Sequence, residues 1–450
     1  MQKFIAKYVL AAHLAVLAVA PLCLLPSWVA WLSLLGAIWL LMEPSRIKGE
    51  SLRSARSRVV SAIVRDPFFW FSVVFLSYYV IAYFNTGVTL SYDAQEAKWF
   101  MSQPPMPLMP SSTDGFKPSA ITSVLAMIVV TQGCRHALGK QARFGFAVVF
   151  SFVSGLISFI MISALVLGNV AYLDLAKCSF ENPQFIGIVF GISSLVSVSA
   201  LASVFEFRIF RVLVMVLFGI VGSLAGLFIF APAHIAAFFA IALIMLFLYA
   251  IFYAFKLPGA LIEFKYAVVL FISISIAVIV VIFSLSDEIM EMKTLPFQSV
   301  KTILPQLSEL REALSKIAFS VWRDNLWLGT GFETFPLDIK FNATDGAFAV
   351  IPESQTKPLS GYLLLLAENG IVGSVMYACL YGFLLFTYIR RFCMSLKASI
   401  SSPISLTGFL ALSAVAAAAA FDCSFLLPEA TVVLCMTMSL SSVSFSKGAK

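Results

Sequence analysis

The chain predicts an all-α polytopic membrane protein of about twelve transmembrane helices, with a large, partly helical outer loop between the ninth and tenth. Three observations carry that expectation. Of the 450 residues, 60% are hydrophobic and only 12% charged, whereas soluble domains carry roughly 25% charged residues. Mean hydropathy is +0.96. Apolar runs long enough to cross a bilayer, which takes about 19 residues, recur along the chain, and basic residues gather in alternate connections between them. A string of soluble domains is excluded, and residues 1–450 read as a single integral membrane domain.

The spans fall at 8–26, 27–42, 67–85, 118–134, 144–168, 184–205, 212–230, 235–255, 266–286, 370–389, 404–421 and 430–446. With the N-terminus inside, an even number of spans returns both termini to the same side. The inner side then holds 20 cations and five acids (Glu43, Glu50, Asp66, Glu206 and Glu263), a net of +15. The outer side keeps 10 cations and 18 acids, a net of −8, and the two make up the overall +7. This asymmetry is the positive-inside pattern. The basic excess therefore reports topology and implies no nucleic-acid partner. Lys3 and Lys7 precede the first apolar run as they would in a signal peptide. No small-x-small cleavage site follows, and Pro26-Ser27 reads as the turn of a two-span hairpin, so this segment is expected to be retained.

Two outer loops depart from short connections. Residues 86–117 contain Trp99 and four prolines between 104 and 110. Residues 287–369 form the larger excursion. Within it, Leu307, Leu310, Leu314, Ile317, Ala318 and Val321 recur at helical spacing, predicting an amphipathic helix over Leu307–Arg323 that lies on the membrane surface or caps the bundle. Leu359–Ala367 is apolar but too short to span. Interrupted by Glu368-Asn369-Gly370, it predicts an interfacial or re-entrant helix leading into the tenth span. Trp99, Trp322 and Trp327 are candidate interfacial anchors.

The seven cysteines are scattered singly, without a CxxC or a Cys/His cluster, so no metal site and no cofactor are expected. Only Cys178 and Cys423 could meet in an oxidising compartment. No Asp, Glu, Lys or Arg falls within the twelve spans. Ion-coupled transporters rely on intramembrane charge, so this counts against them. Polar chemistry must then lie at the outer face.

The outer loop there carries a resemblance. Arg311, followed by Val321-Trp322-Arg323-Asp324-Asn325-Leu326-Trp327-Leu328-Gly329-Thr330-Gly331-Phe332, resembles the signature of the O-antigen ligase and polymerase superfamily: an Arg, an Asp-Asn turn, a Gly-x-Gly and a Phe. Tyr362-Leu363, Glu368 and Gly370-Ile371-Val372-Gly373 resemble its next block. Phe180-Glu181-Asn182-Pro183-Gln184-Phe185 resembles an earlier one, and Asp422 through Pro428 a later one. The resemblance covers most of the chain from about residue 140. It implies a multi-pass protein of the bacterial inner membrane with cytoplasmic termini. It also implies an inverting, metal-independent glycosyltransferase that ligates or polymerises glycan outside that membrane, in O-antigen or exopolysaccharide assembly. The partners implied are a polyprenyl-diphosphate-linked glycan donor, a lipid or glycan acceptor, and membrane lipid.

Such a transfer needs cationic stabilisation of the departing diphosphate, and guanidinium suits it by permanent charge and bidentate geometry. Arg311 is the first candidate, at the family's spacing, and Arg323 the second. The family's basic histidine is absent: its position reads Leu359-Ser360. A second family arginine is also missing, from a stretch that here reads Ala231-Pro232-Ala233-His234. Glu368 and His234 are therefore the candidate replacements among catalytic groups. Asp324, Gly329, Gly331, Tyr362, Asn182, Gln184 and Asp422 complete the substrate-binding candidates. For Gly329 and Gly331 a plain turn competes with a phosphate-facing nest, and Glu368 at the head of a span would be stabilised by the helix dipole without any chemistry. Two other classes stay open: a flippase or exporter of polysaccharide intermediates, and a catalytically degenerate scaffold that binds glycan lipid.

Overall fold

The computed structural model describes residues 26–47, 49–93, 98–116, 118–166, 183–207, 212–256, 310–342, 358, 360–397, 404–421 and 423. Within them the chain is mostly helical, and five helices are long and apolar enough to cross a membrane: Pro67–Phe84, Ala142–Ser163, Ile186–Val204, Leu213–Phe230 and Gly361–Thr387. Ile235–Ala250 and Leu406–Ala418 are shorter apolar helices. The expected spans at 8–26, 266–286 and 430–446 lie outside the described residues.

In chain order the helices are α1 (Pro26–Met42), α2 (Leu52–Val64), α3 (Pro67–Phe84), α4 (Pro118–Gln132), α5 (Lys140–Val166), α6 (Pro183–Phe207), α7 (Leu213–Phe230), α8 (Ala233–Lys256), α9 (310–324), α10 (Phe335–Asn342), α11 (Gly361–Lys397) and α12 (Ile404–Ala418). The connection expected at 43–66 folds into α2. Ser51 caps it, its hydroxyl accepting from the Ser54 amide at 3.2 Å. Asp66 in turn caps α3, accepting from the Phe68 amide at 3.2 Å, and Pro67 takes the first helical position.

The centre of the bundle is α6. Every residue from Ile186 to Val204 is buried, with α5, α7, α8 and α12 packed around it. Its serines would be expensive in an apolar interior were their hydroxyls unpaired. They bond back to their own helix instead: Ser194 donates to the Gly191 carbonyl, Ser197 to Ser193 and Ser203 to Ser199. Ser193 also meets Ser223 of α7 at 2.9 Å. Helices α5 and α7 approach through small residues. A Cβ added at Gly155, Gly219 or Gly222 would overlap backbone of the facing helix, the close contact that substitutes for hydrophobic drive inside a membrane. Large side chains such as Trp39, Phe84, Met245 and Phe386 are exposed on the outer surfaces of their helices, as lipid contact requires.

At the end shared by α2, α3 and α4, the backbone past Gln132 forms one π-helical turn, Gly133–Ala137. That turn presents Arg135 and His136 to Asp66. Arg135 Nη1 lies 2.7 Å and His136 Nε2 3.2 Å from Asp66 Oδ2, and both Arg135 and Asp66 are buried. Burial pushes the Asp66 carboxyl up, but the His136 hydrogen bond and the Arg135 charge outweigh it and hold the group below the usual range.

The 86–117 loop departs from the all-α expectation. Strand β1 (Thr86–Val88) pairs in parallel with β4 (Ser112–Thr113), and β2 (Leu90–Asp93) pairs antiparallel with β3 (Lys98–Met101) in the register Leu90↔Met101. Proline lacks the amide donor that would join a ladder, so the proline-rich arch at 104–110 relies on one side chain. Asn85 Nδ2 donates to the carbonyls of Met106, Met109 and Pro110, and its Oδ1 accepts from the Met106 amide.

Candidate functional site

The site grows from one glycine. Helix α11 is broken at Gly370, whose φ of 58° and ψ of −161° leave the helical region. The break divides a short helix ending at Asn369 from the long helix that follows, as the apolar segment before Glu368 predicts. It leaves two sets of peptide groups without helical partners: the last carbonyls of the first piece and the first amides of the second. Both are satisfied by the turn that follows α9. The Ile371 and Val372 amides donate to the Leu326 and Trp327 carbonyls, each at 3.0 Å. In the opposite sense, the Thr330 and Gly331 amides donate to the Ala367 and Glu368 carbonyls, at 3.0 and 2.8 Å. The turn thus caps both ends of the break with backbone alone.

Glycine is required where these backbones touch. Gly329 and Gly370 have positive φ, and a Cβ at either would overlap backbone of the opposite strand: the Glu368 carbonyl for Gly329, the Trp327 carbonyl for Gly370. The Gly329 amide is bonded to the Asn325 carbonyl, so with those of Thr330 and Gly331 it serves the turn. The competing anion nest has no free amide there.

The turn is also fixed from the other side. Phe332 N donates to the Ser111 carbonyl at 2.9 Å, and Thr113 N to the Phe332 carbonyl at 3.2 Å. The Phe332 ring packs among Tyr78, Tyr79 and Phe116. The Tyr79 and Tyr377 hydroxyls are hydrogen-bonded across α3 and α11. The connection after α3, the segment after α9 and two membrane helices therefore meet at residues 326–332.

Glu368 is placed differently from its expected position at the head of a span. It precedes the break, is buried, and its Oε1 accepts from the Phe335 amide at 3.2 Å. It acts as a cap supplied from α11 to the N-terminus of α10, where a carboxylate also meets the helix dipole.

Helix α9 turns its apolar stripe onto protein. Of the predicted stripe Leu307 lies outside the described residues, and Leu310, Leu314, Ile317, Ala318 and Val321 form a second core with Phe335 and Ile339 of α10, Leu364 and Ala367 of α11, and Cys423. The Cys423 thiol donates to the Pro358 carbonyl at 2.8 Å. Packing α9 in this way carries Arg311 to the end of α12. Its Nη2 donates to the Ala420 carbonyl at 3.2 Å, and its guanidinium lies 4.8 Å from the centre of the Phe421 ring. One helical turn before Ala420, Ala416 accepts a 2.6 Å hydrogen bond from the Tyr362 hydroxyl. Tyr362 and Ala416 head a largely apolar groove of about 650 Å³ between α11 and α12, walled farther down by Leu366, Tyr377, Tyr381 and Leu412.

The remaining candidates are less assembled. Arg323 and Asp324 pair with each other at 3.3 Å on the exposed end of α9, away from Arg311 by more than three helical turns. His234 lies in the first turn of α8 and Gln184 in that of α6, but their side chains lie outside the described residues, as do Asn182 and Asp422 entirely. Trp327 is exposed, and its carbonyl is the one that caps Val372.

One group escaped the sequence reading. Asp338 of α10 is 1% exposed and accepts from the Thr330 hydroxyl at 2.7 Å; Thr330 and Thr334 hydroxyls meet at 2.6 Å. Burial pushes its carboxyl up to about 7, against the Thr330 and Thr334 hydroxyls, which favour the anion. A signal was present: Thr330, Thr334 and Asp338 stand four residues apart, the spacing that aligns polar groups along one helical face. Among the described residues no three His, Cys, Asp or Glu side chains gather as a metal centre would require.

Compared with known families, the chain matches the one described as O-antigen ligase over residues 220–378. That stretch runs from within α7 past the break in α11 and contains Arg311, the turn, Asp338 and Glu368. No significant match to a curated protein is found.

Proposed function

Because the match over residues 220–378 supports membership of the O-antigen ligase and polymerase superfamily, we propose that this integral membrane protein transfers glycan from a polyprenyl-diphosphate carrier to an acceptor at the outer face of the bacterial inner membrane. One observation carries the reading. A guanidinium, Arg311, is seated on the end of α12, one helical turn beyond the point where that helix walls an apolar groove. A cation at the mouth of a long apolar furrow suits an amphiphile with an anionic head and a hydrocarbon tail, which is the chemistry of the donor. Tyr362 stands at the rim, its hydroxyl donating to the Ala416 carbonyl.

In this reading Arg311 binds the diphosphate and stabilises the charge that develops on it as the glycosidic bond to phosphate breaks. The acceptor oxygen attacks from the face opposite the leaving group, inverting the anomeric centre, and no metal is required. Arg323 is a reserve cation for donor docking, while Glu368, Gly329 and Gly331 hold the scaffold on which Arg311 is carried. His234, Asn182, Gln184 and Asp422 remain candidates for the acceptor side. Leu359-Ser360, where the family carries its histidine, favours a second reading: a scaffold that binds glycan lipid without transferring from it.

The test compares Arg311→Ala and Arg311→Lys at equal membrane abundance, reading glycan product in cells and binding of purified protein to a polyprenyl-diphosphate glycan. A charge-assisted hydrogen bond is worth roughly 1.5–3 kcal/mol, so the alanine variant should lose about 10- to 100-fold in both, with lysine between. Product at wild-type level from Arg311→Ala removes Arg311 from the site. Donor binding that depends on Arg311 in a protein that yields no product identifies the scaffold.

A further inference from the structure

We propose that the opposite end of the molecule carries a binding surface for anionic phospholipid headgroups, built on α2 and independent of the glycan-transfer reading. Helix α2 runs directly into the membrane helix α3 through Arg65 and Asp66 alone, so it lies at the level where the bilayer ends. Its inward face, Ala55 and Val59, is buried against the bundle. Its outward ridge is composed in two parts. Arg53 and Arg56 stand at one end and Val60 and Val64 at the other, and these four fall on one side of the helix by their spacing. Both valines are more than half or about half exposed, at 59% and 50%. The exposed Trp70 ring, in the first turn of α3, donates its Nε1–H to the Val64 carbonyl at 2.9 Å, joining the apolar end of the ridge to the lipid-facing surface of the span.

The charge on this end is not self-neutralised. Among the described residues beside α2 the carboxylates already have partners: Glu43 lies 3.9 Å from Arg46, Glu50 3.0 Å from Arg58, and Asp66 2.7 Å from Arg135. Arg53, Arg56 and Arg65 are exposed and have no carboxylate partner among the described residues. Arg56 is held in place, its Nε donating to the Met42 carbonyl at the end of α1 at 2.6 Å. Arg53 and the anchored Arg56 at one end of the ridge, with Arg65 beside the strip of valine and indole at the other, match a phosphodiester headgroup above acyl chains. A soluble acidic partner would leave the valines and Trp70 against water. The occupant is therefore an anionic phospholipid, of the phosphatidylglycerol or cardiolipin class.

Native mass spectrometry of the full chain, released from detergent containing equal phosphatidylglycerol and phosphatidylcholine, tests this. Wild type should retain phosphatidylglycerol preferentially. One basic residue near an anionic surface contributes about fivefold, so the triple variant Arg53→Gln/Arg56→Gln/Arg65→Gln should lose on the order of a hundredfold of that preference. Replacing the same three residues by lysine should retain most of it. Arg390→Gln/Arg391→Gln, at the far end of α11, serves as the control and should leave it unchanged. If the triple variant fails to fold, Arg53→Gln alone should show a several-fold loss. Equal retention by the glutamine variants overturns the proposal, as does an equal loss in the control. Displacement of the lipid by soluble glycerol phosphate also overturns it, since the site would then recognise phosphate without the membrane.

Discussion

Replacing Asp338 by asparagine should make the turn at residues 326–332 more stable at neutral and alkaline pH and remove most of its pH dependence. Asp338 is buried, and its carboxyl is pushed from the ordinary 3.8 up to about 7. A group whose folded pKa is raised is held in its protonated form by the fold. Its contribution is complete below about pH 4 and is lost as pH rises through about 7. At roughly 1.4 kcal/mol per pH unit, the ionised carboxylate costs on the order of 4 kcal/mol at full effect. If the turn opens alone, water admitted there lowers this to about half, so about 2–4 kcal/mol is expected. The carboxyl bonds Thr330, whose amide caps Ala367, so the loss should appear first at the junction. Hydrogen exchange of the Thr330 and Gly331 amides, in purified protein at about pH 5 and pH 8, reads it locally, and thermal melting reads it globally. Wild type should exchange faster at the higher pH by more than hydroxide catalysis explains, and melt at a lower temperature. Asp338→Asn should behave at both pH values like acid wild type. A variant that keeps the wild-type pH dependence would refute the assignment.

Two further perturbations test the framework. Gly370→Ala forces a side chain into the left-handed region, at about 1 kcal/mol, and drives Cβ into the Trp327 carbonyl. With two of the junction's backbone hydrogen bonds lost at about 1 kcal/mol each, destabilisation of about 3 kcal/mol is expected, checked by exchange at Ile371 and Val372; unchanged protection there would contradict the capping. Arg135→Ala should destabilise the opposite end by about 3 kcal/mol, since it leaves buried Asp66 without its guanidinium, with only His136 and the Phe68 amide beside it. Adding Asp66→Asn should recover part of the loss, and a melting temperature insensitive to both would show that the pair is not structural.

Hydropathy made the described membrane helices legible because a span is a one-dimensional signal, a long apolar run bounded by charge. The stripe from Leu310 to Val321 was legible for a similar reason, though periodicity alone leaves open whether it faces lipid or protein; Phe335, Ile339 and Leu364, distant in sequence, decide that it faces protein. Gly370 announced a break. What it could not announce was the partner of the broken ends, because carbonyl and amide groups are common to every residue. Glu368 looked like a group at the head of a span and proved to cap another helix, a relation that exists only after folding. Asp338 was overlooked among the loop's scattered acids, since burial, not residue type, makes it unusual. Strands β1–β4 are too short for alternation to declare them, and Asn85, which holds the proline arch, has no local mark.

The junction at Gly370 has a consequence for how this chain can vary. Its four bonds join peptide groups to peptide groups, so Leu326, Trp327, Ile371 and Val372 take part without using their side chains. Those positions are free to exchange one residue for another with the geometry kept, while Gly329 and Gly370 are not. A relative could differ at most residues of this region and still hold the same broken helix in the same loop. What such relatives would share on paper is a pair of glycines at a wide and variable separation, a weak inscription for a strong constraint.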